Sequence, residues 1–178
     1  MRLQVLGAGP IGLLVVQLLR LVGVSRIHVI EPVAFRAQAA LANGASSVSA
    51  GPDGALDATE GRGNDLVVEA TNSPAGFGDA VLAARTGGRL VLVGIPDGNH
   101  YAAMPADVLR RRALGIKMSR RMCNVMPDAI RLVDDGAVNV DAMITHRYHG
   151  LHEVGRAFAD QARLADGVIK SIVHTRRS

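Results

Sequence analysis

The chain of 178 residues has one cysteine, no tryptophan, two tyrosines and three phenylalanines. A lone thiol, Cys123, forms no internal disulfide, so a disulfide-stapled secreted scaffold is excluded and a cytoplasmic setting is expected. With aromatics at 3% of residues, the core has to be built from valine, leucine, isoleucine and alanine. No apolar run reaches the roughly 18 to 20 residues that span a bilayer, so no membrane partner is expected. Met1-Arg2 leads into Leu3 to Leu6 and then glycine, which reads as a strand rather than a signal peptide.

Acidic residues are outnumbered, 16 against 20 basic, giving a net charge of +4 and a pI near 10.0. The densest basic stretch runs Arg110, Arg111, Arg112, Lys117, Arg120 and Arg121. No aromatic side chains interleave with it to stack on bases, so no nucleic-acid partner is expected. A solvated helix end, with arginines facing a phosphate-bearing cofactor, accounts for the excess. The apolar fraction of 48% and mean hydropathy of +0.20 describe a globular chain long enough to bury a core.

Six apolar runs alternate with helical patterns. They are Leu3–Leu6, Ile27–Ile30, Ser47–Ser49, Leu66–Glu69, Leu90–Gly94 and Leu114–Met118. Helices are expected over Ile11–Val22, over Ala34–Ala42 with Asn43-Gly44 as its stop, over Ala75–Arg85, and from Pro105 to Arg112. The stretch Gly51–Asn64, GPDGALDATEGRGN, is expected to be loop with little room for a full helix. Strands alternating with helices imply right-handed crossovers and a parallel sheet covered on both faces, an α/β doubly wound fold.

The strongest motif is Gly7-Ala8-Gly9-Pro10-Ile11-Gly12, which follows the first strand and opens the first helix. Gly7 permits the tight turn, Gly9 lets a pyrophosphate approach the backbone, and Gly12 lets helix and strand pack closely. The helix N-terminus then supplies N–H donors and a positive dipole end for phosphate. Glu31 closes the second strand 19 residues after Gly12, where the dinucleotide fingerprint expects an acid that accepts hydrogen bonds from the adenosine ribose. A carboxylate there repels a 2′-phosphate, so NAD is expected over NADP. The bland alternative is a strand-end glutamate beside the turn made by Pro32.

At this point VLGAGPIGLL, the strand-end acid with Arg36 five residues later, GRLVLVGIP and MITHRYHGLHEVGRAF together resemble zinc-type medium-chain dehydrogenases over essentially the whole chain. Within that family Arg121–Pro127 is similar to sorbitol and other polyol dehydrogenases, although Met122 stands where those enzymes carry an aromatic residue. The resemblance implies a Rossmann sheet ordered 3-2-1-4-5-6 over residues 1–118. It also implies a C-terminal helix and strand extension, 119–178, that packs back on a zinc-binding catalytic domain not found in this sequence. Carried over residue by residue, it implies that Pro10 and Ile11 lie beside the pyrophosphate and Arg36 joins Glu31 at the adenine ribose. Val93, Gly94 and Ile95 would meet the nicotinamide amide, and Ser119, Arg120 and Arg121 would close over that end. The implied reaction is hydride transfer between an alcohol or polyol and NAD, the zinc being expected only in the other domain. A second copy or a catalytic partner domain is expected to cover 119–178.

No catalytic or metal residue is expected within the chain itself. Alcohol oxidation needs its oxygen polarised, by zinc or by a tyrosine with a lysine four residues on. Tyr101 is followed at that spacing by Pro105 and Tyr148 by His152. His146, His149 and His152 share a spacing of three that invites a zinc site, but His146 belongs to a strand connection in the family and the others to a polar turn. His28 and His100 read as packing or surface residues, and Cys123 as a buried inert thiol rather than a reactive one. A stand-alone NAD-binding module or non-catalytic subunit is the alternative function. Another Rossmann-like class, a methyltransferase or flavoprotein, is the third reading.

Overall fold

The computed structural model describes residues 1–57, 59–98, 100–101, 103–121 and 124–175, with the backbone alone at 55–57. The chain divides into two compact units, Met1–Met126 and Pro127–Ser178.

The first unit is a six-stranded, all-parallel sheet in the order β3-β2-β1-β4-β5-β6. Its strands are β1 (Arg2–Leu6), β2 (Arg26–Ile30), β3 (Ser47–Ser49), β4 (Asn64–Glu69), β5 (Ala84–Leu92) and β6 (Gly115–Met118). The helices are α1 (Pro10–Leu21), α2 (Ala34–Ala42), α3 (Pro52–Asp57), α4 (Gly76–Ala83) and α5 (Ala106–Arg112). The sequence-based expectation of an α/β doubly wound sheet holds, order included.

Strand alternation divides the core between the two faces. Leu3, Val5, Ile27 and Val29 are fully buried on the face that α1 covers with Leu13 and Val16. On the opposite face Leu6, Ile30, Val67, Leu90 and Leu92 pack with Ala80, Val81 and Ala83 of α4. Proline at the first turn starts α1 without costing a hydrogen bond, since that N–H has no intrahelical acceptor anyway. Asn43 and Gly44, the latter at φ +108°, stop α2 as expected.

Two stretches differ most from the sequence expectation. The stretch Gly51–Asn64 is not all loop, because α3 forms six residues of helix within it. The fourth helix stops at Ala83 rather than Arg85, and β5 begins six residues before Leu90. The reason is pairing: Ala84 lies in register with Asn64, whose side-chain amide donates to the Ala83 carbonyl at 3.2 Å. The extra residues are absorbed by an irregularity in the ladder, with Gly87 at φ +71°.

The second unit contains α6 (Met126–Asp134), whose first residue belongs to the first unit, then β7 (Ile144–His149), α7 (Val154–Arg163) and β8 (Lys170–His174). β7 and β8 pair in parallel, with α7 as their crossover. Tyr148, Ala157, Val168 and Ile169 form its small core. Polar side chains tie it down: Tyr148 Oη donates to Asp160 at 2.7 Å, and Gln161 bridges the Ile169 carbonyl and the Ser171 N–H. The bond to Asp160 raises the Tyr148 pKa above its ordinary value. Leu151 and Phe158 are each 71% exposed, so this unit carries large apolar side chains in contact with solvent. Among the described residues no helix is long and apolar enough to cross a membrane.

Candidate functional site

The carboxyl ends of the strands gather the chemistry-bearing residues of the first unit. Chain order reverses between β1 and β4, and in open parallel sheets the crevice outside that switch point is where ligands bind. The glycine loop between β1 and α1 sits there. Gly7 is at φ +89°, and a Cβ on it would lie 2.9 Å from the Thr71 methyl group beyond β4. A Cβ on Gly12 would come within 1.9 Å of the Gly7 carbonyl oxygen, so this glycine is demanded by the helix turning back on its own loop. Gly9 differs. Its φ is −70°, and a Cβ on it would meet nothing within 4 Å. Glycine is not required there by the protein; the space beside it is open.

No side chain caps α1, and no acidic residue lies in its first turn. The first intrahelical bond runs from Leu13 N–H to the Gly9 carbonyl at 3.0 Å, which leaves the Ile11 and Gly12 N–H groups without helical acceptors. Two amides and the positive end of a three-turn helix therefore face the open side of Gly9, an arrangement that holds an anion. Ile11 is 53% exposed at the same end.

Glu31 follows β2 and is 6% exposed. Its carboxylate accepts hydrogen bonds from the Ala8 N–H at 2.8 Å and the Val33 N–H at 2.9 Å. One acid thus ties the glycine loop to the end of β2. A carboxylate offers about four acceptor positions, so two remain for a ligand hydroxyl. Arg36, five residues on, makes no bond to Glu31; its Nε is buried with no acceptor, and its guanidinium carbon lies 6.0 Å from the Phe35 ring centre.

Across the switch point stands a second acid that the sequence reading passed over. Glu69 ends β4 at 2% exposure, and its Oε1 accepts from the Thr71 N–H at 2.7 Å and the Thr71 hydroxyl at 2.5 Å. The Val93 and Gly94 N–H groups both donate to the Glu69 backbone carbonyl, at 2.8 and 3.1 Å. A Cβ on Gly94 would lie 1.8 Å from the Thr71 carbonyl oxygen. The segments after β4 and β5 therefore touch, and only glycine fits between them. The signal was available: Glu69 closes an apolar run as Glu31 does.

Ile95, next in line, is 71% exposed, and Tyr101 Oη donates to the Gly94 carbonyl at 3.2 Å. Ser119 N–H donates to the Leu92 carbonyl at 2.8 Å, which brings it to the same end of the sheet. Arg120 and Arg121 follow, exposed and without an ion pair among the described residues. The structure thus assembles Gly7, Gly9, Gly12, Glu31, Val93, Gly94 and Ser119 at one edge, and leaves the contacts of Arg36, Arg120 and Arg121 unmade. Met122 and Cys123 lie outside the described residues.

Histidines give no metal centre among the described residues, where no group of three or more His, Cys, Asp or Glu side chains is placed to hold an ion. His149 and His174 stack with ring centres 5.1 Å apart, and His146 stacks on Tyr148 at 6.5 Å. His28 is buried in β2, as expected of a packing residue.

Residues 10–135 match the family model described as zinc-binding dehydrogenase. Sorbitol dehydrogenase of Homo sapiens is 30% identical over 154 residues, covering 83% of this chain and 43% of that protein. L-arabinitol 4-dehydrogenase of Talaromyces emersonii is 28% identical over 184 residues, covering 93% of this chain and 47% of that protein. The chain therefore spans less than half the length of these curated relatives. Among solved structures, an alcohol dehydrogenase of Escherichia coli CFT073 complexed with NADH superimposes with a TM-score of 0.84 at 27% identity, over 96% of this chain and 51% of that one. A zinc-binding dehydrogenase of Sinorhizobium meliloti 1021 bound to NADP gives 0.86 at 27% identity, over 97% and 52%.

Proposed function

Because the chain belongs to the zinc-binding dehydrogenase family, we propose that it is the NAD-binding portion of an alcohol or polyol dehydrogenase. The observation that carries the reading is the open glycine loop over the uncapped start of α1, with the Glu31 carboxylate fixed beside it. The site fits a dinucleotide. Gly9 and the Ile11 and Gly12 amides hold the pyrophosphate, with Pro10 and Ile11 against it. The free acceptor positions of Glu31 take the adenosine ribose hydroxyls, and Arg36, with its unpaired Nε, closes over the same ribose. The negative charge of Glu31 excludes a 2′-phosphate, which favours NAD over NADP. Val93, Gly94 and Ile95 receive the nicotinamide amide, and Ser119, Arg120 and Arg121 line that end.

The cofactor, when bound, supplies the hydride chemistry; this chain binds and orients it. The zinc of the family finds no ligand set among the described residues. Segment 119–178 packs on the zinc-binding catalytic domain or on a second copy, which covers side chains such as Leu151 and Phe158. The lone cysteine favours a cytoplasmic setting.

Calorimetric titration of the chain with NAD, NADP and their reduced forms tests the proposal. Selective binding of NAD or NADH is expected. Absence of binding by any dinucleotide would overturn it.

A further inference from the structure

The opposite edge of the same sheet carries a feature that packing does not explain. A parallel sheet covered on both faces is expected to be apolar throughout. Gln4, His28 and Ser47 nevertheless stand in register across β1, β2 and β3, forming a polar stripe on the face that Leu6, Ile30 and Val67 otherwise fill. One step toward the strand starts, Arg2 and Arg26 are register partners on adjacent strands, so their side chains leave the same face. In the crossover that runs over this stripe, only the six residues of α3 are helical. A cavity of about 220 Å³ remains, walled by Arg2, Arg26, His28, Ser47, Thr59 and Asn64 among others.

Three observations define what the cavity suits. Among the described side chains that line it there is no carboxylate. Arg26 has no ion pair among the described residues; the Arg2 guanidinium is paired at 4.0 Å with the 89%-exposed Glu60 side chain, and Asp65 accepts from the Arg2 backbone N–H at 2.8 Å. Behind the wall, Gln4 is fully buried and accepts from Asn64 Nδ2 at 2.6 Å, while its own Nε2 meets no acceptor. Two guanidinium groups on directly opposed strand positions repel, and an oxyanion between them relieves that repulsion.

We propose that this pocket, at the amino-terminal edge of β1 and β2, binds a small oxyanion of the phosphate type between Arg2 and Arg26. Guanidinium forks match such oxygens geometrically. The volume lies below the roughly 300 Å³ at which pockets for drug-sized ligands begin, so a phosphate, or the phosphate end of a small ester, is the group it takes. The inference does not depend on the cofactor reading, because Arg26 begins the strand that Glu31 follows at the other end.

The test is an NMR titration of the full chain with inorganic phosphate, with glycerol phosphate, and with chloride at matched ionic strength. The His28 ring and the Gln4 side-chain amide are the reporters. Both resonances are expected to shift and saturate with phosphate but not with chloride, and Arg26→Glu is expected to weaken the response at least tenfold. Arg26→Gln, which adds no negative charge, should weaken it less and keeps the test valid if the glutamate variant misfolds. Tighter binding of the ester assigns the site to an organic phosphate, and equal binding assigns it to the free anion. The backbone amides of Gly9 and Gly12 report separately on phosphate in the glycine loop. Identical responses to chloride and phosphate, or a response untouched in both Arg26 variants, would overturn the proposal. NAD titration of Arg26→Glu should match the parent chain, so loss of one site is distinguishable from loss of the other.

Discussion

Replacing Glu31 by alanine perturbs two things at once, and the structure separates them. The carboxylate accepts from Ala8 N–H at 2.8 Å and from Val33 N–H at 2.9 Å. Hydrogen bonds to a charged partner are each worth about 1.5–3 kcal/mol. Ala8 is 1% exposed, so its N–H is left with no partner, whereas Val33 is half-buried and can recruit water. The expected loss is therefore about 3–4 kcal/mol, the larger share from Ala8. For a protein of this size that is roughly a 10 °C fall in midpoint. Glu31→Gln keeps one acceptor oxygen but turns an amide group toward one of the two donors, and should fall about midway. Urea unfolding followed by circular dichroism measures the stability. Calorimetry, at a temperature where each variant is folded, measures NAD binding, expected to weaken on the order of 100-fold through two lost ribose hydrogen bonds. A Glu31→Ala protein as stable as the parent would refute the structural link. A destabilised one with parental NAD affinity would refute the ribose role.

Gly9 and Gly94 should behave oppositely on substitution by alanine. Gly9→Ala meets nothing within 4 Å and should leave stability within about 0.5 kcal/mol while weakening NAD at least tenfold; equal affinity in calorimetry would contradict this. Gly94→Ala places a Cβ 1.8 Å from the Thr71 carbonyl oxygen and should cost more than about 3 kcal/mol in a denaturant melt. Asp65 accepts from the Arg2 N–H, Arg85 Nε and Arg62 Nη2, and the first two chiefly hold its pKa well below the usual carboxylate range. Because the folded pKa is depressed, this stability is complete above about pH 4 and drains away as pH falls further. Asp65→Asn should cost about 1–2 kcal/mol at pH 7, and the gap between variant and parent should narrow at pH 3. Burial pushes the His28 pKa down, so its neutral form is favoured on folding. Its contribution is present above about pH 6.5 and is lost as pH falls below that. His28→Gln should flatten the stability profile between pH 7 and 5, and an unchanged slope would count against the assignment.

Much of the site was legible because its signals are local. Gly7-Ala8-Gly9-Pro10-Ile11-Gly12 states a turn and a helix start within six residues, and Glu31 ends an apolar run at the expected distance. Glu69 ends an equally plain run, yet its relation to Thr71 and Gly94 depends on β4 and β5 lying side by side, which no local pattern states. The early start of β5 was hidden for the same reason. Helical spacing continues through Arg85, while the Asn64 side chain, nineteen residues before Ala83, ends the helix there.

Composition and periodicity determined the class of fold, the family resemblance implied the order of its strands, and the glycine motif marked the turn from β1 into α1. The local signals are carried by neighbours in sequence: continuous apolar runs for buried strands, a helix start at proline, and glycines where the backbone must turn sharply. Tertiary structure alone decided that Glu31 ties the glycine loop to the end of β2, that Gly12 and Gly94 are sterically obligatory while Gly9 is not, and that His28, Arg2 and Arg26 line one cavity. Apart from the Gly12 contact with Gly7, these are relations between segments about twenty or more residues apart. Register and burial set them, and a linear chain carries register only as the free energy of the folded whole.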